Sequence, residues 1–307
     1  MPITSSDISG LLLAGLKTAF FSTFEESPHQ WREVATMIPS EKDTEHYAWL
    51  GAVPGVNEFV DERKTGDLAE YDYFIKNKTW ESTISVDRAA IEDDQYGQIA
   101  MRVKQMAGVA NSHLDLLIFG ILGGGFVNPC YDGLSFFNPA HPLGKAGQSA
   151  PGTQSNMGTD ALNAGSLQAA ITQMMRYQND QGRPMGTIPD VLVIAPEMYW
   201  EATQLLNSAF FPDPAPVGTQ DMAMNPLKGL LRLVTTPFLT DPADWYLLDT
   251  KKPVKATILQ MRKEFEFEAL EQSSETGFLR DEFFYGVRAR YNAGYGDWRS
   301  AFGSKVG

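Results

Sequence analysis

The residues best suited to chemistry in this 307-residue chain are its histidines, carboxylates and single cysteine. The four histidines are His29, His46, His113 and His141. No two of them have metal-ligand spacing, and no H-E-x-x-H motif occurs. Two pairs are candidates for a metal or acid–base site: His113 with Asp115, and Asp132 with His141. In either case the fold would have to bring the two side chains together in space. A histidine followed by proline in a turn, as at His141, usually has a structural role.

The remaining motifs point away from an enzyme. One cysteine, Cys130, excludes an intrachain disulfide and a cysteine zinc cluster, and we expect a small buried side chain rather than a nucleophile. No G-x-S-x-G, Walker A or dinucleotide fingerprint occurs. The glycines at 123–125 follow their predicted helix, which is the wrong end for phosphate. The sequence therefore predicts no catalytic residue, no cofactor and no metal.

Composition limits the function classes further. The net charge is −13 and 43% of the residues are hydrophobic, which favours a globular protein over one built around a nucleic-acid groove. Simple solubility explains the acidity at least as well as a function near DNA. The start, MPITSSD, lacks the basic region of a secretory signal, and no apolar run reaches the roughly 18–20 residues of a membrane span. We expect a soluble protein, with no membrane, made in a reducing cytoplasm.

The dominant predicted element is a long helix over residues 92–126. Its apolar residues recur at spacings of three and four, the period of one helical face: Ile99, Val103, Met106, Ala110, Leu114, Leu117 and Ile121. Acidic residues at 92–94 favour its start, and the glycines at 123–125 predict a left-handed turn at its end. After Leu114 the helix is apolar nearly all round, so its second half should be buried against a sheet.

Two segments before this helix need support from elsewhere. Residues 1–45 contain a helical apolar stripe that must dock on its own chain or on a neighbour. Residues 47–60 and 71–86 alternate between apolar and polar and predict a long two-stranded hairpin with a charged tip at 61–67. A ribbon of this kind is marginal alone, so it should rest on another subunit or fold flat on its own domain.

The rest of the chain predicts an α/β unit over residues 159–250 and a strand-rich tail. The expected elements are a helix capped by Thr159 or Asp160, a buried strand at 191–194, a helix opened by Pro196, strands near 230–234 and 245–248, and a strand at 283–292. Residues 144–158 are rich in glycine, serine, glutamine and proline and predict a loop.

The order of these segments resembles the Hong Kong 97-type major capsid fold of tailed phages, and the sequence is similar to the Mu-like phage major head subunit family. The strings that carry the resemblance are KTAF (17–20), YDYFIKNKTWEST (71–83), IEDDQYG (91–97), CYDGLSFFNPAHP (130–142) and GVRARYNAGYGDWRSAFG (286–303). Together they span nearly the whole chain and are specific in combination. The loop after Pro142 departs from the family pattern.

The resemblance implies an α+β, Hong Kong 97-like subunit and a function. The implied units are an N-terminal arm (1–45), an extended E-loop hairpin (46–90), a peripheral domain (91–158) with its spine helix (91–126), an axial domain (159–250) and a return to the peripheral domain (251–307). The implied function is that of a major capsid protein, not an enzyme, which self-assembles into the icosahedral shell around the genome of a tailed phage or prophage.

The resemblance also implies partners and contacts. The main partner is the chain itself, in hexameric and pentameric capsomers. The chain starts directly with the arm, so a separate scaffolding protein is expected, with a portal and decoration proteins. The shell, assembled in the host bacterial cytoplasm, would enclose DNA without sequence-specific binding. The expected intersubunit contacts are Phe20, Phe24, Asp61, Glu62, Arg63, Lys64, Tyr71, Tyr73 and Trp80.

Two other functions stay open at this point. A soluble α/β metal-dependent hydrolase would use Asp132 and His141, but it leaves the long hairpin unexplained. A phage tail or portal component shares the habit of assembly but not this order of segments. The form of the particle separates the three, because an enzyme stays a small oligomer, a tail protein forms tubes or rings, and a shell protein forms capsomers or closed particles.

Overall fold

A computed structural model of the chain describes residues 5–47, 50, 73–87, 96–143, 152–179, 182–212, 222–239, 241–270 and 282–307. The helices of this part are α1 (Ser5–Glu26), α2 (Trp31–Val34), α3 (Tyr96–Gly123), α4 (Ala164–Met175) and α5 (Tyr199–Asn207). They pack on two mixed sheets, so the predicted α+β class is confirmed.

The strands of the described part form two larger sheets and three short pairs. They are β1 (Ala35–Pro39), β2 (Thr44–His46), β3 (Phe74–Lys76), β4 (Lys78–Asp87), β5 (His141–Pro142), β6 (Thr153–Gln154), β7 (Met157–Gly158), β8 (Val191–Ile194), β9 (Phe210–Pro212), β10 (Met222–Met224), β11 (Arg232–Thr235), β12 (Trp245–Leu248), β13 (Thr257–Leu270), β14 (Glu282–Tyr295) and β15 (Ala301–Ser304). The sheet orders are β1-β13-β14-β4 and β11-β8-β12-β15-β7. The pairs are β2–β3, β5–β6 and β9–β10.

The apolar face of α3 matches the predicted one. Its buried residues include Ile99, Val103, Met106, Ala110, Leu114, Ile118, Phe119 and Leu122. Residues 97–126 are long and apolar enough to cross a membrane, and an 18-residue window within them has a mean hydropathy of 1.4. This corrects the expectation that no apolar segment reaches the length of a membrane span. Half of that window (50%) is buried inside the protein, as in the core helix of a globular fold.

The glycines that end α3 do not act as predicted. Gly123 keeps a right-handed helical backbone with φ of −61°, and a 3-10 turn continues over Gly124–Phe126. A Cβ at Gly125 would lie 2.7 Å from the ring of Phe137. The glycine therefore serves close packing against the following loop, not a left-handed turn.

The arm helix α1 docks on its own chain. Leu16 and Phe20 are fully buried in a cluster with Val103 of α3 and Val287 of β14. The Phe20 ring lies 5.8 Å from that of Phe267 on β13. The apolar stripe was expected to dock on its own chain or on a neighbour, and in this structure it docks on its own chain.

The hairpin prediction holds at its base and is wrong further along. Strand β2 pairs with β3, joining Thr44 to Lys76. Strand β4 pairs instead with β14 along its whole length, so residues 78–87 belong to a sheet and not to a ribbon. Between β3 and β4, the side-chain amide of Asn77 donates to Ser40 Oγ at 2.9 Å. The predicted tip, with Asp61, Glu62, Arg63 and Lys64, lies outside the described residues, and so does Tyr71 of the second predicted strand.

The five-stranded sheet has a core on each face. Val191 and Val193 of β8 face the core shared with α3 and the four-stranded sheet, whereas Leu192 and Ile194 face α4 and α5. Helix α4 begins later than predicted, at a capping box formed by Asn163 and Ser166. Strand β15, near the end of the chain, pairs with β12 in this sheet.

Candidate functional site at the joint between the two sheets

The chain passes from the four-stranded to the five-stranded sheet at residues 296–300, which we call the joint. A Cβ at Gly296 would collide with the carbonyl oxygen of Lys255, so this position requires glycine. Asp297 caps the turn by accepting from the Arg299 amide at 3.0 Å, and it accepts from the Tyr131 hydroxyl at 3.1 Å. Trp298 and Arg299 are each 1% exposed. The joint is therefore a buried, hydrogen-bonded crossing.

Asp132 and His141 meet directly beside the joint. His141 Nδ1 is 2.5 Å from Asp132 Oδ2, and His141 Nε2 is 3.2 Å from the carbonyl oxygen of Phe136. A carboxylate and a carbonyl oxygen can only accept, so both ring nitrogens of His141 face hydrogen-bond acceptors. The ring stacks on Trp298 with 4.1 Å between centroids and 7° between planes. The pair thus anchors the loop after α3 to the joint.

The other contacts of Asp132 hold the predicted Asp-Gly turn. Its Oδ1 accepts from the Leu134 amide at 3.0 Å and from the Cys130 thiol at 3.1 Å, and Gly133 has φ of +83°. Burial alone would raise the pKa of Asp132, but the hydrogen bond and charge of His141, together with the hydrogen bonds from Cys130 and Leu134, outweigh burial and lower that pKa. Burial raises the pKa of the Cys130 thiol, and Cys130 is the small buried side chain that was expected.

These three side chains also have the chemistry of a metal site. Cys130, Asp132 and His141 offer ligand atoms within 4.8 Å of one another. The C-x-D spacing could have suggested the cysteine, which the sequence reasoning left out. In the structure, however, the ligand atoms are hydrogen-bonded to each other or to backbone, and the His141 and Asp132 side chains are 0% and 4% exposed. A catalytic metal needs an open coordination position for water or substrate. This buried arrangement therefore suits a structural hydrogen-bonded cluster better than a reaction centre.

The second predicted pair does not converge. His113 Nδ1 lies 2.8 Å from the Tyr291 hydroxyl, and its ring lies 4.3 Å from that of Trp80. Asp115 accepts from the Trp31 amide at 2.7 Å. Burial lowers the pKa of His113 and raises that of Asp115, so each is shifted towards its neutral form. The two side chains tie α3 to the four-stranded sheet and to α2, respectively.

The described residues among the expected intersubunit contacts all have partners within their own chain. Phe20 is 0% exposed, whereas Phe24, Tyr73 and Trp80 are partly buried. The partners are Phe265 for the Phe24 ring (5.1 Å), the Tyr295 amide, which donates to the Tyr73 hydroxyl (2.7 Å), and the Tyr291 carbonyl, which accepts from the Trp80 indole (2.9 Å). An apolar stripe must be buried against another surface. The spacing of its residues does not show whether that surface belongs to the same chain or to a neighbouring subunit.

The metal content of the purified protein distinguishes a structural hydrogen-bonded cluster at Cys130, Asp132 and His141 from a metal site. Purified protein is expected to contain far less than one zinc, manganese or iron per chain by mass spectrometry, because the ligand atoms already bond to one another. Stoichiometric metal that is lost in both Asp132→Ala and His141→Ala would contradict this expectation and restore a metal centre.

The long helix, the two sheets and the joint together define the class, which is the Hong Kong 97-type fold of phage capsid subunits. The procapsid subunit of bacteriophage JBD30 is 29% identical, with a TM-score of 0.57 over 99% of this chain and 77% of that one. The virus-like particle subunit of Pyrococcus furiosus, at 12% identity, shares the fold with a TM-score of 0.54 over 94% of this chain and 98% of that one.

Within that class, the chain belongs to the family described as Mu-like prophage major head subunit gpT, which matches residues 10–161, 158–239 and 240–307. The Mu-like prophage FluMu major head subunit of Haemophilus influenzae is 26% identical over 306 residues, or 99% of this chain and 75% of that protein. The major capsid protein of Escherichia phage Mu is 27% identical over 307 residues, with the same coverage. The chain is a phage major capsid protein and part of the virion shell, and these relatives are not hydrolases.

Proposed function

We propose that copies of this chain form hexameric and pentameric capsomers and then a closed icosahedral shell around packaged DNA, with no catalytic step of their own. The match to the JBD30 procapsid subunit over 99% of the chain carries the proposal. The net charge of −13 supports it, because like charge keeps the wall from binding the DNA inside. A separate scaffolding protein, a portal and decoration proteins complete the particle, which assembles in the host bacterial cytoplasm.

We assign the five units of the family fold to the chain with one adjustment. The arm is 1–45, the E-loop 46–90, the peripheral domain 91–158, the axial domain 159–250 and the return 251–307. Because β7 and β15 pair in the five-stranded sheet, we place residues 157–158 and 301–304 in the axial unit.

The outward strip of α3 supports self-association better than the buried arm does. We define this strip as Met101, Gln105, Val109, Ser112 and Leu116, which share one side of the helix and are all exposed. Met101, Val109 and Leu116 are 59%, 65% and 49% exposed. The strip is uncharged and about 23 Å long at 1.5 Å per residue. On a subunit with charge −13, it is a surface where two copies can meet without repulsion.

Strand β4 lies beside the strip and widens this surface. It is an edge strand of the four-stranded sheet within the described part of the chain. A groove runs between Ile84 and Ser85 of β4 and Gln105 and Val109 of α3. Arg102 of α3 also lines the groove, so its surface is mixed rather than apolar. An edge strand next to such a groove is a favourable place for an extended segment of another subunit.

Introducing a charge on the strip tests the proposal. Val109→Glu should leave the free energy of unfolding within about 0.5 kcal/mol of wild type, because the site is exposed, while closed particles are lost. Thr18→Glu adds the same charge at an exposed position of α1 and should assemble normally. Sedimentation and negative-stain imaging of protein made with its scaffolding protein provide the readout. Tubes or small oligomers from the wild type would refute the shell, and normal shells from Val109→Glu would refute the strip.

A further inference from the structure

Trp200 is an aromatic knob on the unit built around the five-stranded sheet. It lies in the first turn of α5 and is 79% exposed, although tryptophan is normally found in cores and interfaces. Its ring makes an edge contact with Tyr199, with 5.2 Å between centroids. The exposed carboxylates Glu197 and Glu201 flank it along the chain. The knob therefore combines a large apolar ring with an acidic rim.

An open groove of about 770 Å³ lies along the outward side of α4. Helix α4 contributes Gln168 and Thr172, Arg176 follows directly after the helix, and the opposite wall includes Thr153 and Gln154 of β6. Arg176 is the one charged residue among the described residues that line it, and it is exposed. We call this the α4 groove. Its volume lies in the range of sites that accept drug-sized groups, so an indole ring can enter it.

The fold places the knob and the groove on opposite flanks of one face. Helices α4 and α5 both pack on the same side of the five-stranded sheet through residues such as Ile171 and Ala202. Helix α5 lies against β11, at one edge of the sheet, and α4 lies against β15, next to the other edge. Two different patches on opposite flanks are the arrangement of a head-to-tail contact, which closes into a ring when the rotation between copies permits.

We propose that Trp200 of one copy inserts into the α4 groove of the next copy around a capsomer, with Glu197 and Glu201 facing Arg176. The acidic rim complements the cation of the groove, and the Arg176 guanidinium can lie against the indole face. The occupant is a second copy because the charges of the two patches are opposite within a chain that is acidic overall. This inference rests on the proposed capsomers and identifies one of their contacts.

Disulfide trapping tests the geometry. In the double variant Trp200→Cys with Thr172→Cys, shells should form at the lower yield expected for loss of the indole. Each copy carries both cysteines, so the shells that do form should give, on oxidation, a ladder of covalent oligomers up to the hexamer. The native Cys130 is buried and contributes little background. Thr18→Cys with Thr172→Cys is the matched control and should give no ladder. Shells without a ladder in the first variant would overturn the contact and leave the capsomers standing, whereas a wild type without capsomers would refute the proposed function itself.

Charge exchange tests the chemistry of the contact. Arg176→Glu and Glu201→Arg should each lower shell yield by about tenfold, as expected for loss of an interface contact, and the double variant should recover most of it. Trp200→Ala should lower the yield similarly, and Trp200→Phe should retain part of it. Monomer melting should not change in any of them, because all three side chains are exposed. No recovery in the double variant would overturn the pairing. Normal shells from Trp200→Ala that fail to bind a scaffolding protein would assign the knob to that protein and overturn the proposal.

Discussion

Replacing Phe20 with alanine is expected to lower the free energy of unfolding by about 3–5 kcal/mol, the usual cost of removing a buried phenylalanine. Phe20 is 0% exposed, and its ring contacts Phe24 on α1 and Phe265 and Phe267 on β13. Alanine would leave a cavity between α1, α3 and the four-stranded sheet. Urea unfolding of the unassembled subunit, followed by circular dichroism, measures the change.

Phe74 provides the matched control for this prediction. It lies on β3 and is 60% exposed, so Phe74→Ala should change the same quantity by less than about 1 kcal/mol. The result shows whether the apolar face of α1 is buried by its own chain or by a neighbouring subunit. If Phe20→Ala left the subunit as stable as wild type but abolished shells, α1 would belong to the core of a neighbour and not to its own chain.

Local sequence patterns predicted the elements that depend on local physics. The buried face of α3 follows from the period of its apolar residues, and all four residues of β8 are buried as its uninterrupted apolar run predicted. The Asp-Gly turn also follows from local chemistry, because Gly133 adopts the left-handed backbone that glycine favours. Each of these features is decided within a few residues along the chain.

Long-range pairing explains most of what the sequence patterns did not predict. Strand β4 alternates as a hairpin strand would, but its partner is β14, about two hundred residues later, and alternation does not identify a partner. The same holds at the joint, where the Tyr131 hydroxyl donates to Asp297 across 166 residues of sequence. Two of the strings that carry the family resemblance meet there, CYDGLSFFNPAHP and the end of GVRARYNAGYGDWRSAFG. Their meeting gives both strings a shared physical purpose, which is to fix one sheet against the other.

Replacing Asp132 with alanine should be nearly as costly as the loss of Phe20. Hydrogen bonds to a charged group contribute about 1.5–3 kcal/mol each, and alanine would remove those that the buried Asp132 carboxylate accepts from His141, the Leu134 amide and the Cys130 thiol. His141 is fully buried, and its Nδ1 would lose the Asp132 carboxylate. Asp132→Ala should therefore melt at a lower temperature and loosen the joint, and the additional replacement His141→Leu should restore part of the stability by removing the stranded polar ring.

The pH dependence of stability gives this prediction a specific signature. Because the pKa of Asp132 is lowered in the folded state, its contribution is present above the pKa of an ordinary carboxyl and is lost as the pH falls through the folded value. The difference in unfolding free energy between wild type and Asp132→Asn should thus be largest near neutral pH and shrink in acid. The exposed Asp87→Ala serves as the control and should show little difference at any pH. A wild-type advantage over Asp132→Asn that grew in acid would contradict an ionised Asp132 at the joint.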